Sequence, residues 1–136
     1  MRDVPEHRPL VADNDLGDPA SRDYFVIQTP TMLHRYERFV APAASLVDAA
    51  AVERIGRRWQ LTMPEGAAYE GPTLIIAGRQ DSAVGYAAAT DLLESCPRAT
   101  LAVLDGAGHA LPHEQPELLG RLLEDWLARA GVSAPR

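Results

Sequence analysis

The sequence of 136 residues is 46% apolar, 24% charged and 6% aromatic, a balance that buries a core and excludes a disordered chain. With 13 Lys and Arg against 19 Asp and Glu, the net charge of −6 argues against nucleic acid or an anionic membrane as partner. No apolar run is long enough to span a bilayer, the opening MRDVPEHRPL has no stretch of signal-peptide type, and the single cysteine, Cys96, offers no internal disulfide, so a cytoplasmic protein is expected.

Residues 1–65 read as short helices punctuated by prolines. Arg2 to Ala20 is polar and rich in Asp and Pro, and is expected to be loop. Thr29-Pro30 has the form of a helix start, with Thr29 as N-cap and Pro30 in the first helical position. Met32, Leu33, Tyr36, Phe39 and Val40 follow at helical spacing until Ala41-Pro42, where a break is expected. Pro42 then opens a helix with Leu46, Val47 and Ala50 on one face, with Ser45 and Asp48 resembling a weak capping box. Asp48 is a cap for a further turn carrying Val52, Ile55 and Trp59, while Arg54, Arg57 and Arg58 form a solvated face. Helices this short require cover from elsewhere.

Residues 66–136 alternate strand and helix. Pro72 to Ala77 is an almost unbroken apolar run ending at Gly78, the pattern of a strand buried on both faces of a parallel sheet. Gly85 to Cys96 reads as an Ala-rich helix that stops before Pro97, and Thr100 to Leu104 as a second strand closed by Asp105-Gly106. Pro116 opens the strongest helix, with Leu119, Leu122, Leu123, Trp126 and Leu127 in one stripe and Gly131 just past its end. Such a strand–helix–strand–helix order predicts two parallel neighbouring strands.

In parallel sheets the chemistry sits in the loops at the carboxyl ends of the strands. Those loops here are Gly78 to Val84 and Asp105 to Ala110, and they carry Asp81 and His109. On adjacent strands, about 4.8 Å apart, both side chains emerge at one rim, within reach of each other. A carboxylate fixes the tautomer of a neighbouring imidazole and stabilises it once protonated, so the imidazole can deprotonate a hydroxyl nucleophile.

The segments GPTLIIAGRQDSAV and ATLAVLDGAGHALPHEQPELLGRLLEDWL, between Gly71 and Leu127, resemble the last two strands and closing helices of the α/β-hydrolase fold family. The resemblance implies that Asp81 is the triad acid and His109 the triad base, in the family's order of nucleophile, acid, histidine. It also implies that the helices of residues 29–60 are a lid. The expected architecture is an incomplete α/β-hydrolase fold: a helical lid segment over residues 1–65, then a βαβα portion of the core over residues 66–136. None of the serines, at 21, 45, 82, 95 and 133, lies in the G-x-S-x-G elbow that presents the family's nucleophile. Ser82 follows the acid on its own loop, with no elbow to present it. Two strands are legible where the family's sheet has about eight.

The activity implied is hydrolysis of an ester, or of a related carbonyl or carbon–carbon bond, without a cofactor. The substrate is expected to be small and apolar, and the chain inactive alone. The alternatives are a non-catalytic remnant that binds a partner, or half of an enzyme completed by another chain. Open strand edges and uncovered apolar faces point to a complementing chain or a homo-oligomer. No metal site is expected: His109 and His113 are four apart, but Pro112 opposes a regular helix there and no third ligand is suitably spaced. Glu114 is read as complementing the start of the last helix, and His7 and His34 as surface residues.

Overall fold

A computed structural model describes residues 4–12, 19–58 and 66–131. Trp59 and Ser133 lie outside the described residues. The centre of the fold is a parallel pair, β3 (Thr73–Gly78) and β4 (Ala99–Leu104), in a register that sets Thr73 opposite Ala99 and Gly78 opposite Leu104. The long helix α7 (Pro116–Arg129) lies against β3. Leu119 and Leu122 pack with Ile76, Ala102 and a buried trio of Leu104, Ala107 and Leu111. The Trp126 indole N–H donates to the Pro72 carbonyl at 2.9 Å, pinning α7 to the start of β3. Gly131, with φ of +73°, stands just past the helix where a left-handed residue is favoured.

Two features depart from expectation. β3 is half-buried along its length, and Val103 on the sheet face away from α7 is exposed. Among the described residues the sheet has only these two strands, too few to be buried between two layers of helices. The segment 85–96 is also not one helix. It divides into a 3-10 turn at Ala87–Thr90 and α5 (Leu92–Ser95). The Thr90 hydroxyl donates to the Ala87 carbonyl at 2.7 Å, a local bond that competes with the α-helical pattern.

The first half contains more structure than its polar opening implies. β1 (Val11–Ala12) pairs in parallel with β2 (Ile27–Gln28), and α1 (Pro19–Tyr24) lies between them. Two-residue strands carry no periodicity to read. Phe25, Met32 and Ala110 form a second buried cluster, with Tyr24, Ile27 and Tyr36 packed on it. Tyr24 meets Phe25 edge-on with ring centroids 5.0 Å apart.

Thr29 caps α2 (Pro30–Arg35) by accepting the Met32 N–H at 3.3 Å. Ala41-Pro42 does not break the helical path. A π-helical turn at Tyr36–Val40 runs directly into α3 (Ala41–Ala44), with the Ala41 N–H bonded to the Tyr36 carbonyl. The wider turn accommodates a proline that can neither donate to the preceding turn nor approach its carbonyl. Ser45 closes α3 rather than opening a helix, its hydroxyl donating to the Pro42 carbonyl at 2.7 Å. Asp48 caps α4 (Ala49–Gly56), accepting the N–H groups of Ala50 and Ala51 at 2.9 and 3.1 Å. The apolar faces expected on these helices are not buried: Leu46 is 86% exposed and Ile55 61%.

Candidate active site

β3 ends at Gly78, and the chain turns at once. The Asp81 N–H donates to the Gly78 carbonyl at 3.3 Å, and the Asp81 Oδ1 accepts the N–H groups of Ala83 and Val84 at 2.8 and 3.0 Å. This aspartate-centred turn fixes the carboxylate and leaves Oδ2 directed elsewhere. β4 ends at Leu104, and Gly106, with φ of +66°, supplies the left-handed step that brings the chain back. His109 follows, and its Nδ1 lies 3.1 Å from Asp81 Oδ2. The two residues singled out in the sequence are thus brought together at one rim of the sheet.

The pair is asymmetric. The Asp81 side chain is 9% exposed, whereas that of His109 is 59% exposed. Burial pushes the Asp81 carboxyl up, but the Val84 N–H, His109 and the Ala83 N–H together hold it below its ordinary value. An ionised carboxylate only accepts, so His109 presents Nδ1–H to it, and Nε2 of the neutral ring carries the lone pair. That Nε2 has no hydrogen-bond partner among the described residues.

The two loops are joined by contacts that sequence reasoning missed. Gln80 donates from Nε2 to Asp105 Oδ1 at 2.7 Å, accepts the Ala107 N–H at Oε1 at 3.3 Å, and donates its own N–H to the Ala107 carbonyl at 2.9 Å. The Gln80 side chain, with the Gly106 N–H, lowers the Asp105 carboxyl from its ordinary value. Gly78 is required by close approach: a Cβ there would sit 2.5 Å from the Ala107 carbonyl oxygen and nearer still to that of Gly108. Glu114 is buried and accepts backbone N–H groups from both halves of the chain, so it is not a solvated residue at the start of α7.

The other candidates separate from the pair. A helical turn, α6 (Leu111–Glu114), does form around Pro112, which fits because it occupies the first turn. It places His113 among the rings of Tyr24, Phe25 and Phe39. The Arg35 guanidinium donates to the His113 carbonyl. Among the described residues no three His, Cys, Asp or Glu side chains gather as a metal site. His7 is half-buried, with Nε2 3.2 Å from the Arg22 carbonyl, while His34 is exposed. Cys96 is half-buried.

A groove of about 650 Å³ runs beside the pair, lined by Ile76, Gly78, Val84, Leu92 and Leu111, with Asp81 and His109 at its edge. A depression of about 600 Å³ on α4 is lined, among the described residues, by Ala51, Arg54, Ile55, Arg57 and Arg58, with no acid–base pair among them. Among the described residues no helix is long and apolar enough to cross a membrane.

The parallel pair thus carries an aspartate after one strand and a histidine after the next. The family model of the alpha/beta hydrolase fold matches residues 6–116, and the chain belongs to that family. The crystal structure of an alpha/beta superfamily hydrolase from Oenococcus oeni PSU-1 is similar over 95% of this chain, with a TM-score of 0.76 and 21% identity. At that identity the likeness is one of fold. The present chain spans 49% of that structure, which makes the architecture an incomplete version of the fold. A comparison with curated proteins gives no match.

Proposed function

We propose that Asp81 and His109 are the acid and base of a serine-type hydrolase whose nucleophile and oxyanion hole come from polypeptide outside this sequence. One observation carries the reading: the 3.1 Å contact between His109 Nδ1 and a buried Asp81 carboxylate already held by two backbone N–H groups. In this mechanism His109 Nε2 takes the proton of a serine hydroxyl as its oxygen bonds to the substrate carbonyl carbon. It returns that proton to the leaving group as the scissile bond breaks, and the sequence repeats with water on the acyl-enzyme. Asp81 keeps the imidazole in the Nδ1–H form and stabilises the imidazolium.

The substrate class is a small apolar ester, or a related carbonyl or carbon–carbon compound. The aliphatic lining of the groove supports this, as do the aliphatic and aromatic residues of the segment read as a cap, residues 1–65, over a core portion at 66–136. The experiment joins this chain to the polypeptide encoded immediately upstream, or mixes it with a fragment carrying a G-x-S-x-G elbow, and follows p-nitrophenyl butyrate hydrolysis. Turnover is expected only on completion, and His109→Ala is expected to lower it on the order of 10³-fold or more. A completed protein that works equally well with His109→Ala overturns the reading.

The absence of a G-x-S-x-G elbow favours a second reading for the chain by itself, a non-catalytic module that binds a partner. It predicts that no upstream or companion segment confers esterase activity, and that a partner bound by the chain tolerates His109→Ala.

A further inference from the structure

We propose that Glu114 is a positioning residue that ties the His109 loop to the 25–28 segment through a single buried carboxylate. The inference rests on the reading of Asp81 and His109 as a relay. Glu114 Oε2 accepts the Gly108 N–H at 2.6 Å, on the residue immediately before His109. Its Oε1 accepts the N–H groups of Val26 at 2.6 Å and Ile27 at 3.2 Å, more than eighty residues away in sequence. The two oxygens therefore serve two segments, one each, and the residue is buried.

The three donors suit a carboxyl group and not an amide. All three are N–H groups, so the central side chain accepts on both ends, which two carboxyl oxygens do and an amide does not. A glutamine of the same shape would turn its own NH2 toward either Gly108 or the Val26–Ile27 pair, leaving a buried donor facing a donor. The surrounding packing leaves little room to compensate. A Cβ at Gly108 would lie 3.0 Å from Val26 Cγ1, so the loop and the segment are already in van der Waals contact. Ala107 and Ala110, on either side of the Gly108–His109 pair, are fully buried. Arg35 of α2 holds the same turn by donating to the His113 carbonyl.

The consequence for the site is specific. The Asp81 side of the relay is set locally, by its own turn. The His109 side is set through Glu114, which holds the N–H beside His109 on one oxygen and is itself bonded to residues 26 and 27 of the first half on the other. Displacement of residues 25–28 would strip Glu114 of two partners and free the loop that aims His109. Glu114 thereby couples the segment that leads into the helices of residues 30–44 to the orientation of the imidazole.

The test reads the His109 ring in the chain itself, by two-bond proton–nitrogen correlation under mildly alkaline conditions where imidazoles are neutral. Wild-type protein is expected to show His109 in the Nδ1–H form. Glu114→Gln is expected to lose that signature to tautomer averaging and to exchange the Gly108 amide at least about tenfold faster. The amides of Ile75 and Ala77 in the strand ladder should keep their protection. A Glu114→Gln protein with an intact ladder and an unchanged ring overturns the proposal. Asp81→Asn in the same experiment separates the two ideas. If it leaves the ring unchanged, the relay reading fails, and Gly108 exchange still tests the tether. If it alters the ring while Glu114→Gln does not, only the Glu114 proposal fails. Should Glu114→Gln not fold, native exchange of the wild type decides: one common protection for Val26, Ile27 and Gly108 is expected, and independent opening of Gly108 overturns the tether.

Discussion

Asp81 is held by groups that all prefer its charged form, and that sets a pH dependence. Burial opposes ionisation, but the N–H groups of Val84 and Ala83 and the His109 ring outweigh it, and the folded carboxyl titrates below its ordinary value of 3.8. A depressed folded pKa means that the unfolded chain binds the proton more readily. The stabilisation is therefore complete above the unfolded value and is lost as pH falls through the folded one. Asp81→Asn should cost roughly 1–2 kcal/mol by urea unfolding at neutral pH. The gap to wild type should narrow as pH falls below 4, an acid limit set by that ordinary value of 3.8. A gap that stays constant with pH would show that the charge is not what holds the turn. Gly78 makes the second prediction at this scale. A methyl group there meets two carbonyl oxygens of the His109 loop, so Gly78→Ala should cost about 1–3 kcal/mol. It should also abolish the Nδ1–H signature of His109, because strand end and loop can no longer touch.

At the scale of elements, the structure separates helices held by packing from helices held by caps. α7 is anchored along its length by Leu119 and Leu122 and at one point by the Trp126 bond to Pro72. Trp126→Phe should remove that bond at a cost of about 1 kcal/mol in global unfolding. α4 has no buried residue and depends on Asp48 for its first turn. Asp48→Ala should therefore fray α4 locally, with faster amide exchange at Ala50 and Ala51, by about 1 kcal/mol. The global midpoint should barely move, because little of the core rests on this helix. Capping was legible in the sequence at Thr29 and Asp48 because a cap is a local event. The continuous helical path through Pro42 was not, because a π turn arises from how the preceding carbonyls are accommodated. Gly85 to Cys96 forms two short turns rather than the single helix that its alanines favour, and no local propensity records that division.

For the whole molecule, the open sheet and the uncovered helices have one common consequence. In the β3–β4 register the backbone of Thr73 and Arg79 faces β4, with the Thr73 N–H on the Arg98 carbonyl and the Arg79 N–H on that of Leu104. By the alternation of a parallel ladder, Leu74 and Ile76 present their backbone groups to the edge that no described strand covers. Exposed Leu46, Val47, Val52 and Ile55 add apolar surface. Surface of this kind drives association. Sedimentation velocity on the isolated chain should show concentration-dependent association. Leu74→Pro, which removes an N–H that the ladder does not use, should weaken it. A monodisperse monomer at every concentration would contradict this account.

The two parallel strands and the last helix of residues 66–136, and the placing of Asp81 and His109 at one rim, were determined by the sequence itself. An apolar run, a helical stripe and a second apolar run leave a parallel pair as the simplest arrangement, and parallel neighbours necessarily turn their carboxyl ends the same way. Tertiary structure alone decided what steadies that rim. Gln80, Gly78 and Glu114 act on residues that become neighbours only once two loops and the 25–28 segment meet, and no periodicity or local propensity records such a meeting. Tertiary structure likewise decided which apolar stripes are covered, since burial depends on a partner surface as much as on the stripe.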